Sequence, residues 1–181
     1  MPKFVALLRG VNVGKAKRVP MAELRALLLE LNYTDVATLL NSGNAVFHTP
    51  RATPAKLATD IAAAILSRFK VVVPVVVKST TELSAIIAEN PIKAEPLNHP
   101  RFLIVFTQDT STLSDLTAIE SLVVPPEEFV IGKKAAYLLC ASGILGSKAG
   151  AALLGKVGKY ATTRNLATVL KLQALANEGA A

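Results

Sequence analysis

The densest concentration of groups able to do chemistry is the run Arg9-Gly10-Val11-Asn12-Val13-Gly14-Lys15-Ala16-Lys17-Arg18, with four basic side chains and no acid. Glycines let backbone N–H groups turn toward one point, and Lys/Arg add positive charge, so this composition suits a bound anion. A helix starting behind the loop would add a favourable dipole. Spacing excludes two specialised phosphate loops. A Walker A loop needs Gly, four residues, then Gly-Lys-Ser/Thr. Here three residues separate Gly10 from Gly14, and Ala16 stands where the hydroxyl belongs. The dinucleotide pattern Gly-x-Gly-x-x-Gly is also missing. The loop therefore reads as a general anion loop, with Arg9, Gly10, Asn12, Gly14, Lys15, Lys17 and Arg18 as contacts. The competing reading is an ordinary connection, with glycines for turning and cations for solubility.

Two further segments join the candidate list. Ser42-Gly43-Asn44 offers two polar side chains, although Gly and Asn at this place also suit a hairpin turn that needs positive φ. In Ala161-Thr162-Thr163-Arg164-Asn165, a threonine is expected to cap the last helix, with Arg164 and Asn165 in its first turn. A cation there opposes the helix dipole, which an acidic partner or bound anion would explain. Other chemistries lack their signatures. His48 and His99 have no Cys/His/Asp spacing that resembles a metal site, so no metal is expected. Cys140 ends an apolar run with no histidine near it in sequence. No Gly-x-Ser-x-Gly elbow, carboxylate pair or cofactor motif stands out.

The elements that must position these residues follow from periodicity. Lys3–Arg9 reads as a strand, and Pro20 opens a helix with Met21, Leu24, Leu27, Leu28 and Leu31 on one face. Val36–Leu40 and Ala45–His48 form a hairpin. Thr53-Pro54 starts a helix with Leu57, Ile61, Ile65 and Phe69 on one face. Val71–Val77 is a strand whose Pro74 suits a sheet edge. The order βαββαβ is the split-βαβ, ferredoxin-like arrangement. Ser79-Thr80-Thr81-Glu82 is a capping box, and Asn90–Pro100 is the best linker. Phe102–Thr107, Thr112–Leu122, the hairpin Glu128–Ile131/Ala135–Ala141, a short helix from Ser147 to Gly155 and a helix Arg164–Asn177 follow. The second half thus reads βαββα, with a helix where its last strand should be. The fold class is α+β: two ferredoxin-like halves in a degenerate duplication, the second ending in helices. The divisions are 1–78, a helix and proline-containing linker 79–100, and 101–181. Phe4–Leu8 and Val71–Val77 are apolar on both faces, so both are expected to be covered, most simply by the other half.

Composition bounds the class. Of the 181 residues, 51% are hydrophobic and 18% charged, which favours a folded core over disorder. No apolar run approaches the roughly 18 residues that span a bilayer. The run Phe4–Leu8 is too short for a secretory segment. One cysteine fits a reducing cytoplasm. Net charge is +7 and is segregated: residues 1–30 hold six Lys/Arg against two acids, and residues 132–181 hold seven against one. If the two ends meet, they form one positive face.

The segments Leu7-Leu8-Arg9-Gly10-Val11-Asn12-Val13-Gly14, Pro20-Met21-Ala22-Glu23-Leu24-Arg25 and Asn41-Ser42-Gly43-Asn44-Ala45-Val46-Phe47, with Thr162-Thr163-Arg164-Asn165 near the end, resemble a widespread bacterial domain-of-unknown-function family, number 1697. The resemblance implies two ferredoxin-like halves in one chain and supplies no activity. The family tends to follow Arg-Asn with an aromatic and a second Asn, where this chain has Leu166 and Ala167.

Three readings of function follow. The first is binding of a phosphate-bearing ligand, a nucleotide or nucleic acid, by the basic loop, joined by Arg164 and Asn165 if the ends meet. An RNA-recognition module would need exposed aromatics on central strands, for which Phe4 and Phe47 are the candidates. The second is an enzyme acting on a small phosphorylated or nucleotide substrate, with His48 or Asp35 as base. The third is a non-catalytic protein whose apolar excess serves a homodimer. No cofactor and no membrane partner are expected.

Overall fold

Strand β1 (Lys3–Leu8) is six residues of nearly continuous apolar sequence, and all but Lys3 are buried. It takes the inner position that such a segment requires. The computed structural model describes residues 2–50 and 52–178. Around β1 run α1 (Met21–Glu30), β2 (Thr34–Thr38), β3 (Asn44–His48), α2 (Pro54–Phe69), β4 (Val75–Ser79) and α3 (Thr80–Ala88). The strands form one antiparallel sheet in the order β2-β3-β1-β4.

The sheet's core face carries Phe4, Ala6, Leu8, Ala45, Phe47, Val75 and Val77. Helices α1 and α2 close over it with Leu24, Leu27, Leu28, Leu57, Ile61 and Ile65, the residues that the helical period singles out. Phe47 stacks on Tyr33 at 4.6 Å and on Phe4 at 5.9 Å between ring centroids. The other face is buried too: Val5, Leu7, Asn44, Val46, Val76 and even Lys78 are nearly inaccessible. Both faces are thus shielded. Helix starts match local chemistry. Thr53 caps α2 by accepting from the Lys56 N–H, with Pro54 at the first helical position. Ser79 and Glu82 form a reciprocal capping box at α3, each side chain accepting from the other's backbone N–H at 3.1 Å.

The second half repeats the topology. It comprises β5 (Phe102–Thr107), a 3-10 helix (Thr110–Leu122), β6 (Glu128–Ile131), β7 (Ala136–Leu139), α4 (Lys148–Leu154), β8 (Ala161–Asn165) and α5 (Leu166–Asn177). Its sheet order, β6-β7-β5-β8, is the first order shifted by four strands. Leu103, Val105, Leu113, Leu116, Ile119, Leu138 and Leu153 make its core.

Two differences from the sequence reading matter. The last strand of the second half is present: β8 pairs antiparallel with β5 from Leu103↔Asn165 to Thr107↔Ala161. Polarity conceals this strand in the sequence, because four of its five residues are polar and one of those is Arg. The final helix consequently starts at Leu166. Neither threonine caps it; Asn165 does, its Oδ1 accepting from the Thr168 N–H at 2.8 Å. Arg164 is therefore a strand residue, outside the helix.

The chain divides into two compact units, residues 1–83 with 172–181, and residues 84–171. The division falls inside α3, and the proline segment Pro96–Arg101 forms a 3-10 turn. Among the described residues no helix is long and apolar enough to cross a membrane.

Candidate functional site

The loop after β1 is held in shape by one side chain. Asn12 sits at φ 57°. Its Oδ1 accepts from the Val19 N–H at 2.9 Å, and its Nδ2 donates to the Val19 carbonyl at 2.9 Å and to the Asn41 carbonyl at 2.7 Å. Its backbone N–H donates to the Lys17 carbonyl at 3.1 Å. Both side-chain N–H groups of Asn12 are therefore committed to holding the loop, and Val19 is drawn into the core. Gly10 and Gly14 have φ 69° and 63°, and a Cβ at either would meet nothing within 4 Å. They are there for left-handed backbone, and the space beside them is open.

The Asn41–Asn44 turn lies beneath this loop. Leu8 N–H donates to the Gly43 carbonyl at 2.8 Å. A Cβ on Gly43 would lie 2.6 Å from Leu8 Cβ and 2.9 Å from Val11 Cγ2. Asn44 is fully buried, and its Nδ2 donates to the Leu39 carbonyl and to Ser42 Oγ. The two motifs thus interlock through backbone and amide contacts, which accounts for Asn12, Ser42, Gly43 and Asn44 together.

The charged residues divide. Lys15, Lys17 and Arg18 are exposed. Arg9 is half-buried, and desolvation pushes its guanidinium below the usual arginine value. The Arg9 backbone N–H donates to the Pro74 carbonyl. Behind the loop, α1 starts after Pro20 with no side-chain cap on its first amides. Arg164, in the second unit, is buried, and burial holds its guanidinium down at about 10. Its Nη1 donates to Thr162 Oγ1 and to the Thr163 carbonyl, both at 2.8 Å.

Other expectations sort by burial. Phe4 and Phe47 face the core, so they offer no stacking platform. Cys140 is buried, and desolvation pushes its thiol up against the opposing effect of a hydrogen bond with Ser147. His99 lies in the 3-10 turn. His48 Nε2 comes within 3.9 Å of Asp35 Oδ2 across the β2–β3 pair. Among the described residues no group of three or more His, Cys, Asp or Glu could hold a metal ion. Lys78 shares a face of β4 with apolar Val76, a spacing that marks a buried charge; its Nζ lies 3.8 Å from Glu82 Oε2.

A duplicated split-βαβ chain with an interlocked Arg-Gly-Val-Asn loop and Asn-Ser-Gly-Asn turn defines a class of small α+β proteins. The chain belongs to the family described as "Protein of unknown function (DUF1697)", whose model matches residues 1–137. Its fold is similar to that of the conserved bacterial protein SP0830 from Streptococcus pneumoniae, with a TM-score of 0.78 at 22% identity, covering 97% of this chain and 98% of that one. No curated protein matches the chain.

Proposed function

We propose that the protein binds a phosphate-bearing ligand, a nucleotide or a nucleic acid strand, at the loop Arg9–Arg18. The observation that carries this reading is the exposure of Lys15, Lys17 and Arg18 on a loop without acids, whose backbone Asn12 fixes. A fixed loop has little conformational entropy left to lose when an anion docks. The open glycines allow close approach of phosphate to main-chain amides, and the uncapped start of α1 adds N–H donors in the next segment. The role of Asn12 in this reading is to shape the loop.

The test is a thermal-shift series with inorganic phosphate, ATP and a single-stranded oligonucleotide on wild type and on Lys15→Ala/Arg18→Ala. A ligand at about 100 times its dissociation constant should add roughly 2.7 kcal/mol of stability to wild type. The double variant should lose most of that gain. A nucleic acid ligand should also show affinity falling steeply with salt. Equal shifts in both proteins, or none in either, would refute the reading.

A further inference from the structure

The strand pairing of the first unit builds a polar cavity that the basic loop does not use. Its volume is about 410 Å³, and Lys3, Asp35, His48 and Glu178 line it with Val46 and Leu175. All six belong to residues 1–83 and 172–181. The volume lies in the range of roughly 300–1,000 Å³ found for small-molecule sites.

The placement of its charges follows from register. Lys3 and His48 are direct partners across β1 and β3, and Thr34 faces His48 from β2. The next β2–β3 partners are Ala37 and Val46, so β2 holds one extra residue in this interval. Asp35 lies in that bulge at φ 49°, a left-handed conformation that Asp tolerates better than most residues. Bulges re-aim side chains. Here the outcome is a carboxylate 3.9 Å from the His48 imidazole. On the other side, the Lys3 ammonium donates to the Ala176 and Glu178 carbonyls at 2.7 and 3.0 Å, which fixes its position and leaves it facing the same cavity.

We infer that this cavity is a binding site for a small zwitterion, a free amino acid. Asp35 and Glu178 offer carboxylates to an ammonium group. Lys3 offers its remaining N–H donor to a carboxylate, which would then lie beside the His48 imidazole. Val46 and Leu175 supply the apolar wall for a side chain. A simple anion would meet two like charges here, and a simple cation would meet Lys3. A ligand carrying both charges satisfies both pairs. Asp35 and His48 act as binding groups in this inference.

The experiment follows the two imidazoles, His48 and His99, by NMR in histidine-labelled protein, assigned with His99→Gln. Pools of the proteinogenic amino acids are added to concentrations on the order of 10 mM. At least one amino acid should shift His48 saturably and leave His99 in place. Its N-acetyl and methyl-ester derivatives, each lacking one charge, should bind about tenfold more weakly, the change expected for one lost charge-assisted hydrogen bond. Asp35→Asn should weaken binding by a similar factor. That variant should fold, since the Asp35 side chain is 79% exposed and Asn also tolerates positive φ, and an unchanged melting curve checks it. Lys15→Ala/Arg18→Ala should bind the amino acid normally, which separates this site from the basic loop. No response of His48 to any amino acid, or an N-acetyl derivative that binds as tightly as its parent, would overturn the inference. Undiminished binding by Asp35→Asn would do the same.

Discussion

The side-chain amide of Asn12 donates to the main-chain carbonyl of Asn41 at 2.7 Å, joining two loops that are 29 residues apart in sequence. Asn12→Ala removes that bond and both bonds to Val19. It should destabilise the first unit by about 1–3 kcal/mol, the cost of leaving partly buried groups unpaired. Lys15→Ala/Arg18→Ala, which changes exposed side chains only, should stay within about 0.5 kcal/mol of wild type. Urea denaturation compares the two. If both changed stability equally, Asn12 would not be the staple described.

Glycine substitutions should rank by space. Gly10→Ala and Gly14→Ala meet no neighbour, so each should cost about 1–2 kcal/mol from left-handed backbone alone. Gly43→Ala has the same backbone problem at φ 90° and would also press on Leu8 and Val11. Overpacking adds about 1–3 kcal/mol. Melting temperatures should therefore fall furthest for Gly43→Ala.

The capping box at α3 makes a compact test. Ser79→Ala deletes the acceptor for the Glu82 N–H and should cost about 1 kcal/mol. Ser79→Asp keeps an acceptor and should recover most of that loss. Guanidinium denaturation midpoints would read both changes.

Tyr137 gives a pH prediction. Its hydroxyl donates to the Ile86 carbonyl at 2.6 Å, and burial, reinforced by Glu89, pushes the phenol up to about 12. In the unfolded chain it ionises near 10. The native state then holds more protons between those values, so the Tyr137 contribution is complete below pH 10 and is lost as pH rises toward 12. Arg164 acts in the opposite sense, because its lowered value releases a folding penalty over the same rise. The difference in stability between wild type and Tyr137→Phe isolates the tyrosine. It should be about 1 kcal/mol near pH 8 and shrink above pH 10. A difference that stays constant to pH 12 would contradict the assignment.

Much of the first half was legible because its signals agree. Apolar strands, a 3.6-residue helical period, Thr53-Pro54 and the Ser79/Glu82 box all point to the same elements. The second half hid two. β8 hides its burial in polar groups: Thr162 and Arg164 satisfy one another, so no apolar alternation marks the strand. The 3-10 helix did leave a trace. Leu113, Leu116, Ile119 and Leu122 recur at intervals of three, the period of that helix, where an α-helix would drift. In the candidate loop, composition indicated exposed cations, and Lys15, Lys17 and Arg18 are exposed. The task of Asn12 was not readable, since it depends on a turn far along the chain. The approach of Asp35 to His48 was equally hidden, because it depends on a bulge between paired strands.

The bond from Lys3 to the Ala176 carbonyl has a consequence for biosynthesis. Residues 172–177 close the same unit that begins with β1, so the intervening segment 84–171 is topologically an insertion. The first unit therefore cannot be completed until residues 172–177 have been made, after the whole of segment 84–171.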